Sequence, residues 1–148
     1  MNINYHAPLV AHREIFIQAL PEVVWKTHTN INNWSHWQPD IDKARLKGPL
    51  APESTFQWKA GGLSITSTIQ LVEPEQQICW TGKALGTRAE HSWMIKGHNN
   101  GTIVTTEESM EGWVINILKF IMPKFLEKSL DTWLENLKSR AEDNDNRE

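Results

Sequence analysis

Cysteine and tyrosine are nearly missing: the 148 residues hold one of each, Cys79 and Tyr5. A single cysteine excludes an internal disulfide framework and any cysteine-rich zinc site, and a reducing compartment suits it best. Long apolar runs are missing too, and nothing approaches the roughly 18 residues that a spanning helix requires. The opening Met1–His6 has no charged n-region and no apolar h-region, so no secretory signal is expected there. Positive charge is not in excess. Fifteen Lys and Arg stand against 18 Asp and Glu, a formal net charge of -3, which removes the basic footprint expected of a nucleic-acid binder. Lys43, Arg45 and Lys47 form a small cluster spaced by two, the wet face of a strand. His28 and His36 with Asp40 and Asp42 lack a metal-ligand spacing, and no glycine-rich phosphate loop joins a strand to a helix. No metal and no cofactor is therefore expected. The class that remains is a cytoplasmic domain of ordinary size, with 39% hydrophobic and 22% charged residues.

One residue type is abundant. Tryptophan occurs 8 times against Phe 4 and Tyr 1, so large apolar walls must be lined or filled. Along the chain, His12–Ala19 alternates as a first strand. Pro21 and Glu22 then suit a helix start, with Val23, Val24 and Trp25 on its apolar side. A second short helix runs through Trp34 and Trp37 and ends at Pro39. Period-two patterning follows over Lys43–Lys47, Thr55–Lys59, Leu63–Val72, Gln77–Gly82, Arg88–Lys96 and Thr102–Met110, with turn residues between the runs. Short links make neighbours antiparallel, so these strands form a meander. From Gly112 the period is helical, with a break at Pro123. Leu126, Leu130, Trp133, Leu134, Leu137 and Ala141 then mark an amphipathic helix. The polar tail from Glu142 to Glu148 is expected to fray. The whole chain, 1–148, reads as one α+β domain: a curved antiparallel sheet of about seven strands around a long C-terminal helix, with two short helices after the first strand. A sheet with one apolar face needs a cover, and only that helix is long enough.

Two segments carry a resemblance. Ala19-Leu20-Pro21-Glu22-Val23-Val24-Trp25 fits A-x-P-E-x-V-W, and Trp34-Ser35-His36-Trp37-Gln38-Pro39-Asp40-Ile41 fits W-x-x-W-x-P-x-I. Gly48–Phe56, Gly101–Thr105, and Leu137-Lys138 with Glu142 continue it. The chain thus resembles the polyketide cyclase/dehydrase-like SRPBCC group of the START-like superfamily, which shares the helix-grip fold of birch-pollen-allergen-like proteins. The resemblance covers nearly the whole chain. It implies a deep, mostly apolar cavity between sheet and C-terminal helix, and hence binding of a hydrophobic or aromatic small molecule, lipid-like or polyketide-like. It names no ligand, and no catalytic motif can be matched residue by residue.

Strand alternation assigns the inner face. Phe56 and Trp58 share it, as do Leu63, Ile65, Ile69 and Leu71 with Ser67 among them, then Ile78, Trp80 and Gly82, and then Ala89, His91, Trp93 and Ile95. A two-residue turn at Asn99-Asn100 sets His91 opposite Glu108; a turn one residue later sets His91 opposite Met110. Either register places Val104, Thr106, Glu108 and Met110 on the face of His91, whereas a three-residue loop or bulge reverses it. His91 and Glu108 are therefore the candidate polar groups inside an apolar pocket. Phe56, Trp58, Ile69, Trp80, Trp93, Thr106 and Met110 are candidate lining residues, and Trp113 and Phe120 are candidate residues of a lid. Binding is favoured over catalysis. The alternatives are a cyclase/dehydrase-type enzyme with His91 and Glu108 as acid and base, and a protein-interaction module of the cochaperone type. Residues 113–125, the most apolar stretch, read either as that lid or as a contact with a membrane surface or a second copy, with Lys119 and Lys124 at the rim. The spacing leaves a monomer and a homodimer equally open.

Overall fold

A computed structural model of the chain describes residues 3–147. Seven strands form one antiparallel sheet in the order β1-β7-β6-β5-β4-β3-β2. They are β1 (Leu9–Ile17), β2 (Ile41–Lys47), β3 (Thr55–Ala60), β4 (Leu63–Glu73), β5 (Gln77–Ala84), β6 (Thr87–His98) and β7 (Gly101–Glu111). Helix α1 (Pro21–Thr29) and a 3-10 helix (Ile31–His36) lie between β1 and β2, and α2 (Trp113–Ile121) and α3 (Phe125–Arg147) follow β7. This is the helix-grip arrangement. The β2-to-β7 meander follows chain order, and β1 closes the sheet by pairing with β7, Ile15 opposite Val104.

The β6–β7 turn fixes the register on which the site depends. Asn99 and Asn100 both take positive φ, 48° and 61°, the backbone that a two-residue turn between twisted strands requires and that asparagine tolerates. His98 then faces Gly101, and His91 faces Glu108.

Three local expectations are corrected. The first strand begins at Leu9 and stops at Ile17, three residues earlier at its start than the alternation from His12 implied, because β7 is long enough to pair back to Met110. A bulge between Ile69 and Leu71 reverses the alternation of β4. Val72 rather than Leu71 consequently packs on the core. The segment from Glu142 to Arg147 is helical, not frayed; Glu148 lies outside the described residues. Tertiary contacts hold this last stretch. The Gln18 amide donates to the Glu142 carboxylate at 2.8 Å, Lys138 also meets that carboxylate, and Asn144 donates to the Thr27 hydroxyl at 3.1 Å.

The α3 face named by periodicity is the buried one: Leu126, Leu130, Trp133, Leu134, Leu137 and Ala141 all pack inward. The core divides in two. The larger part joins α1, the 3-10 helix and the rear of α3 to the sheet; the smaller joins Leu9 and Ala11 to Ile115, Leu126 and Leu130.

Candidate functional site

The core is an aromatic stack. Trp34, Phe56, Trp80 and Trp93 are fully or almost fully buried. Trp34 meets Phe56 and Trp133 edge-on with centroids 5.5 and 5.2 Å apart, and Trp93 lies 5.2 Å from Trp133. The Trp34 indole N–H is satisfied locally by the His28 carbonyl at 2.8 Å, which ties the 3-10 helix to the end of α1.

A pocket of about 170 Å³ remains between the inner face of β3–β7 and the first turns of α3. Trp58, Trp80 and Trp133 supply its large apolar walls, Gly82 and Ala89 its floor, and Phe125 and Leu126 its helix side. Trp58 is held by a 3.0 Å bond from its indole N–H to the buried Ser67 hydroxyl. Gly82 creates space. The atoms nearest to a Cβ there belong to Ile65, Ser67 and Ala89, at ordinary van der Waals distance, 3.5 to 3.9 Å.

His91 and Glu108 share the polar end of the pocket. The His91 Nδ1 lies 3.5 Å from a Glu108 carboxyl oxygen, and Nε2 lies 2.8 Å from the Thr106 hydroxyl. Thr106 has one proton, which it donates to the Ser92 carbonyl at 3.0 Å. Its oxygen therefore accepts from His91, which assigns the proton to Nε2 and leaves Nδ1 as an acceptor aimed at Glu108. Burial pushes the Glu108 carboxyl up to about 8. Burial, and secondarily the nearby His28 ring, holds His91 well below the usual histidine range. Both are neutral at pH 7. The pair is thus a carboxylic acid facing an imidazole acceptor, not an ion pair.

Of the residues singled out from the sequence, Trp58, Trp80, His91, Glu108 and Met110 stand at the pocket wall. Phe56, Ile69, Trp93 and Thr106 lie behind it as buried support. Trp113 and Phe120, expected at a lid, do not line the pocket; they project from α2 at 60% and 87% exposure. The helix turns its other face, with Ile115 and Leu118, onto the smaller core, which leaves these rings no way inward.

Sequence reasoning missed two pocket residues and one buried neighbour. Trp133 is wall as well as core, and helical periodicity cannot separate the two. Gln38 lies in the Trp34–Ile41 segment, is 4% exposed, lines the pocket, and has an amide nitrogen with no partner among the described residues. His28 is fully buried against the Trp93 ring, centroids 4.2 Å apart, with neither ring nitrogen partnered among the described residues. Burial holds its pKa down to about 3. Its position four residues after Val24 placed it on the apolar side of α1, a signal that its polarity masked.

Comparison with known proteins adds the following. Residues 9–142 match the family described as polyketide cyclase / dehydrase and lipid transport. No curated protein sequence matches. Among solved structures, a hypothetical protein of Helicobacter pylori superposes with TM-score 0.83 at 16% identity, over 94% of this chain and 91% of that one. A START superfamily protein of Mycobacterium smegmatis gives 0.75 at 14% identity, over 90% and 97%. An aromatase/cyclase of Streptomyces sp. R1128 gives 0.75 at 12% identity, over 90% and 93%. At these identities the likeness is one of fold.

Proposed function

The chain belongs to the polyketide cyclase / dehydrase and lipid transport family, and from that premise we propose that it reversibly binds a compact hydrophobic molecule carrying a polar group. The observation that carries this is a pocket with apolar walls and one polar end. Trp58, Trp80 and Trp133 supply the walls, and His91 and Glu108 line the polar end. The one proton of the neutral Glu108 faces His91 Nδ1, which leaves the other carboxyl oxygen as an acceptor at that end.

Size sets the ligand class. An apolar cavity of about 150 Å³ admits a single benzene ring, whereas drug-sized ligands occupy about 300–1,000 Å³. The pocket of about 170 Å³ therefore suits one ring or a short branched chain, such as an aryl ketone or phenol.

The test is titration of the purified protein with acetophenone-like and phenol-like single-ring compounds, a fatty acid and a tricyclic polyketide analogue, read by native mass spectrometry and tryptophan fluorescence. Single-ring compounds should bind best, and Gly82→Val should weaken them at least tenfold by filling the floor. Equal binding by Gly82→Val, or no binding by any compound, would remove the reading.

The geometry also favours one second reading. An acid with a pKa near 8 facing a neutral imidazole is equipped for proton transfer near pH 7, as a cyclisation or dehydration requires. Under that reading His91→Ala abolishes turnover of a bound β-ketone substrate and leaves binding intact. Turnover that survives His91→Ala rejects it.

A further inference from the structure

The exposed face of α2 takes no part in the pocket. Trp113, Ile117, Phe120 and Ile121 recur at i, i+4, i+7 and i+8 and are 60%, 52%, 87% and 70% exposed. Met122 and, on the adjoining β5–β6 turn, Leu85 extend the patch. Such a stripe normally faces a core. Here the core-facing side of the same helix is already occupied, by Ile115 and Leu118 against Leu9, Ala11, Leu126 and Leu130.

The helix is also fixed in this orientation. The Val114 amide donates to the Gly86 carbonyl at 3.1 Å. Gly112 has φ 119°, and a Cβ there would collide with the same carbonyl. The two glycines clamp the start of α2 onto the β5–β6 turn, so the apolar stripe is held outward.

We propose that this face docks the protein on an anionic lipid bilayer. Charge supports a bilayer as the occupant. No Asp or Glu occurs between Glu111 and Glu127, while Lys119 and Lys124 in that interval are exposed, in a chain whose net charge is -3. Local cations flanking an apolar helix face, with a tryptophan at its start, fit the boundary between headgroups and acyl chains. Area argues against a second copy. A helix of nine residues is roughly 13 Å long and 10 Å wide, a footprint far below the about 800 Å² that each partner of a stable dimer buries. Two such faces would also bring their lysines together.

Docking would bring the pocket's helix side to the membrane surface. Phe125, which lines the pocket, is the first residue of α3 and follows the patch after Met122, Pro123 and Lys124. Both the patch and its continuity with the pocket rest on the fold alone and hold whether or not a small molecule binds.

The experiment is vesicle flotation with the full chain. Vesicles of phosphatidylcholine alone are compared with vesicles containing 30% phosphatidylglycerol (roughly the anionic content that attracts basic surface segments). The protein should float with the anionic vesicles and remain largely free with the zwitterionic ones. Phe120→Asp with Ile121→Asp should reduce binding at least tenfold, and Lys119→Glu with Lys124→Glu should remove the preference for phosphatidylglycerol. All these side chains are exposed, and circular dichroism with thermal melting checks that each variant folds. Binding unchanged by the Phe120 and Ile121 substitutions overturns the proposal. So does a wild-type dimer in light scattering that these substitutions dissociate while no vesicle binds.

Discussion

Replacing Glu108 with glutamine should stabilise the protein at neutral and alkaline pH, and the gain should grow with pH. The carboxyl has an ordinary value of 4.5 and a folded value of about 8. Between these limits the unfolded chain has released the proton and the folded chain has not. Folding stability therefore falls as pH rises, by about 1.4 kcal/mol per pH unit, from 4.5 until the folded value is passed. At pH 7 the accumulated penalty approaches about 3 kcal/mol, reduced somewhat because the side chain retains 15% exposure. Glutamine keeps the shape and still offers an N–H to His91 Nδ1, yet has no charge to suppress. Glu108→Gln should thus match wild type near pH 4.5 and exceed it by about 2–3 kcal/mol at pH 7. In a chain of this length that raises Tm by roughly 6–12 °C. Urea unfolding at half-unit steps from pH 4.5 to 8.5 measures the difference directly, and subtracting the two profiles cancels the surface groups common to both. Parallel profiles, or a gain that shrinks with rising pH, would refute a neutral Glu108 and with it the acid–imidazole pair assigned to the pocket.

Further outcomes follow from the same geometry. His28 is held at about 3 by burial, below the usual 6.5, so its contribution is present above pH 6.5 and is lost as pH falls toward 3. His28→Phe should remove that part of the acid sensitivity and stabilise by about 1 kcal/mol at pH 7, since two ring nitrogens with no partner among the described residues leave the core; a loss above about 1 kcal/mol in urea melts contradicts this. Thr106→Val strands the His91 Nε2 proton and should destabilise by about 1–3 kcal/mol, whereas Thr106→Ser should retain most of the stability; nuclear magnetic resonance of the ring nitrogens would show the tautomer change. Gly112→Ala forces a Cβ into the Gly86 carbonyl at a positive φ. It should raise amide exchange across α2 by at least tenfold, and unchanged exchange would mean that the glycine clamp does not hold the helix.

Much of the fold was legible because its signals are local. Two adjacent asparagines tolerate positive φ, so a two-residue turn was legible; whether it sat at Asn99-Asn100 or one residue later was not, and the structure takes the first, with His91 opposite Glu108. Leu126 through Ala141 repeat at helical spacing, so α3 buries the face it does. The bulge in β4 carried no such signal: Ile69, Gln70 and Leu71 contain no glycine or proline to mark it, and the inward residue became Val72. The site was legible in part. His91, Glu108, Trp58 and Trp80 lie on strands whose alternation names their face, whereas Gln38 comes from an irregular segment between the 3-10 helix and β2, where no periodicity applies.

The tryptophan excess marks the division. Alternation and helical spacing, by themselves, determined that Trp58, Trp80, Trp93 and Trp133 turn toward one interior. Only the tertiary structure decided that Trp93 fills that interior while Trp58, Trp80 and Trp133 leave a gap of about 170 Å³. It alone decided, too, that Trp113 faces outward. Which side a residue takes is a property of a few backbone dihedrals around it. Whether space remains in front of it depends on how far sheet curvature and the position of α3 separate two surfaces made by residues distant in the chain, and no local pattern encodes that distance.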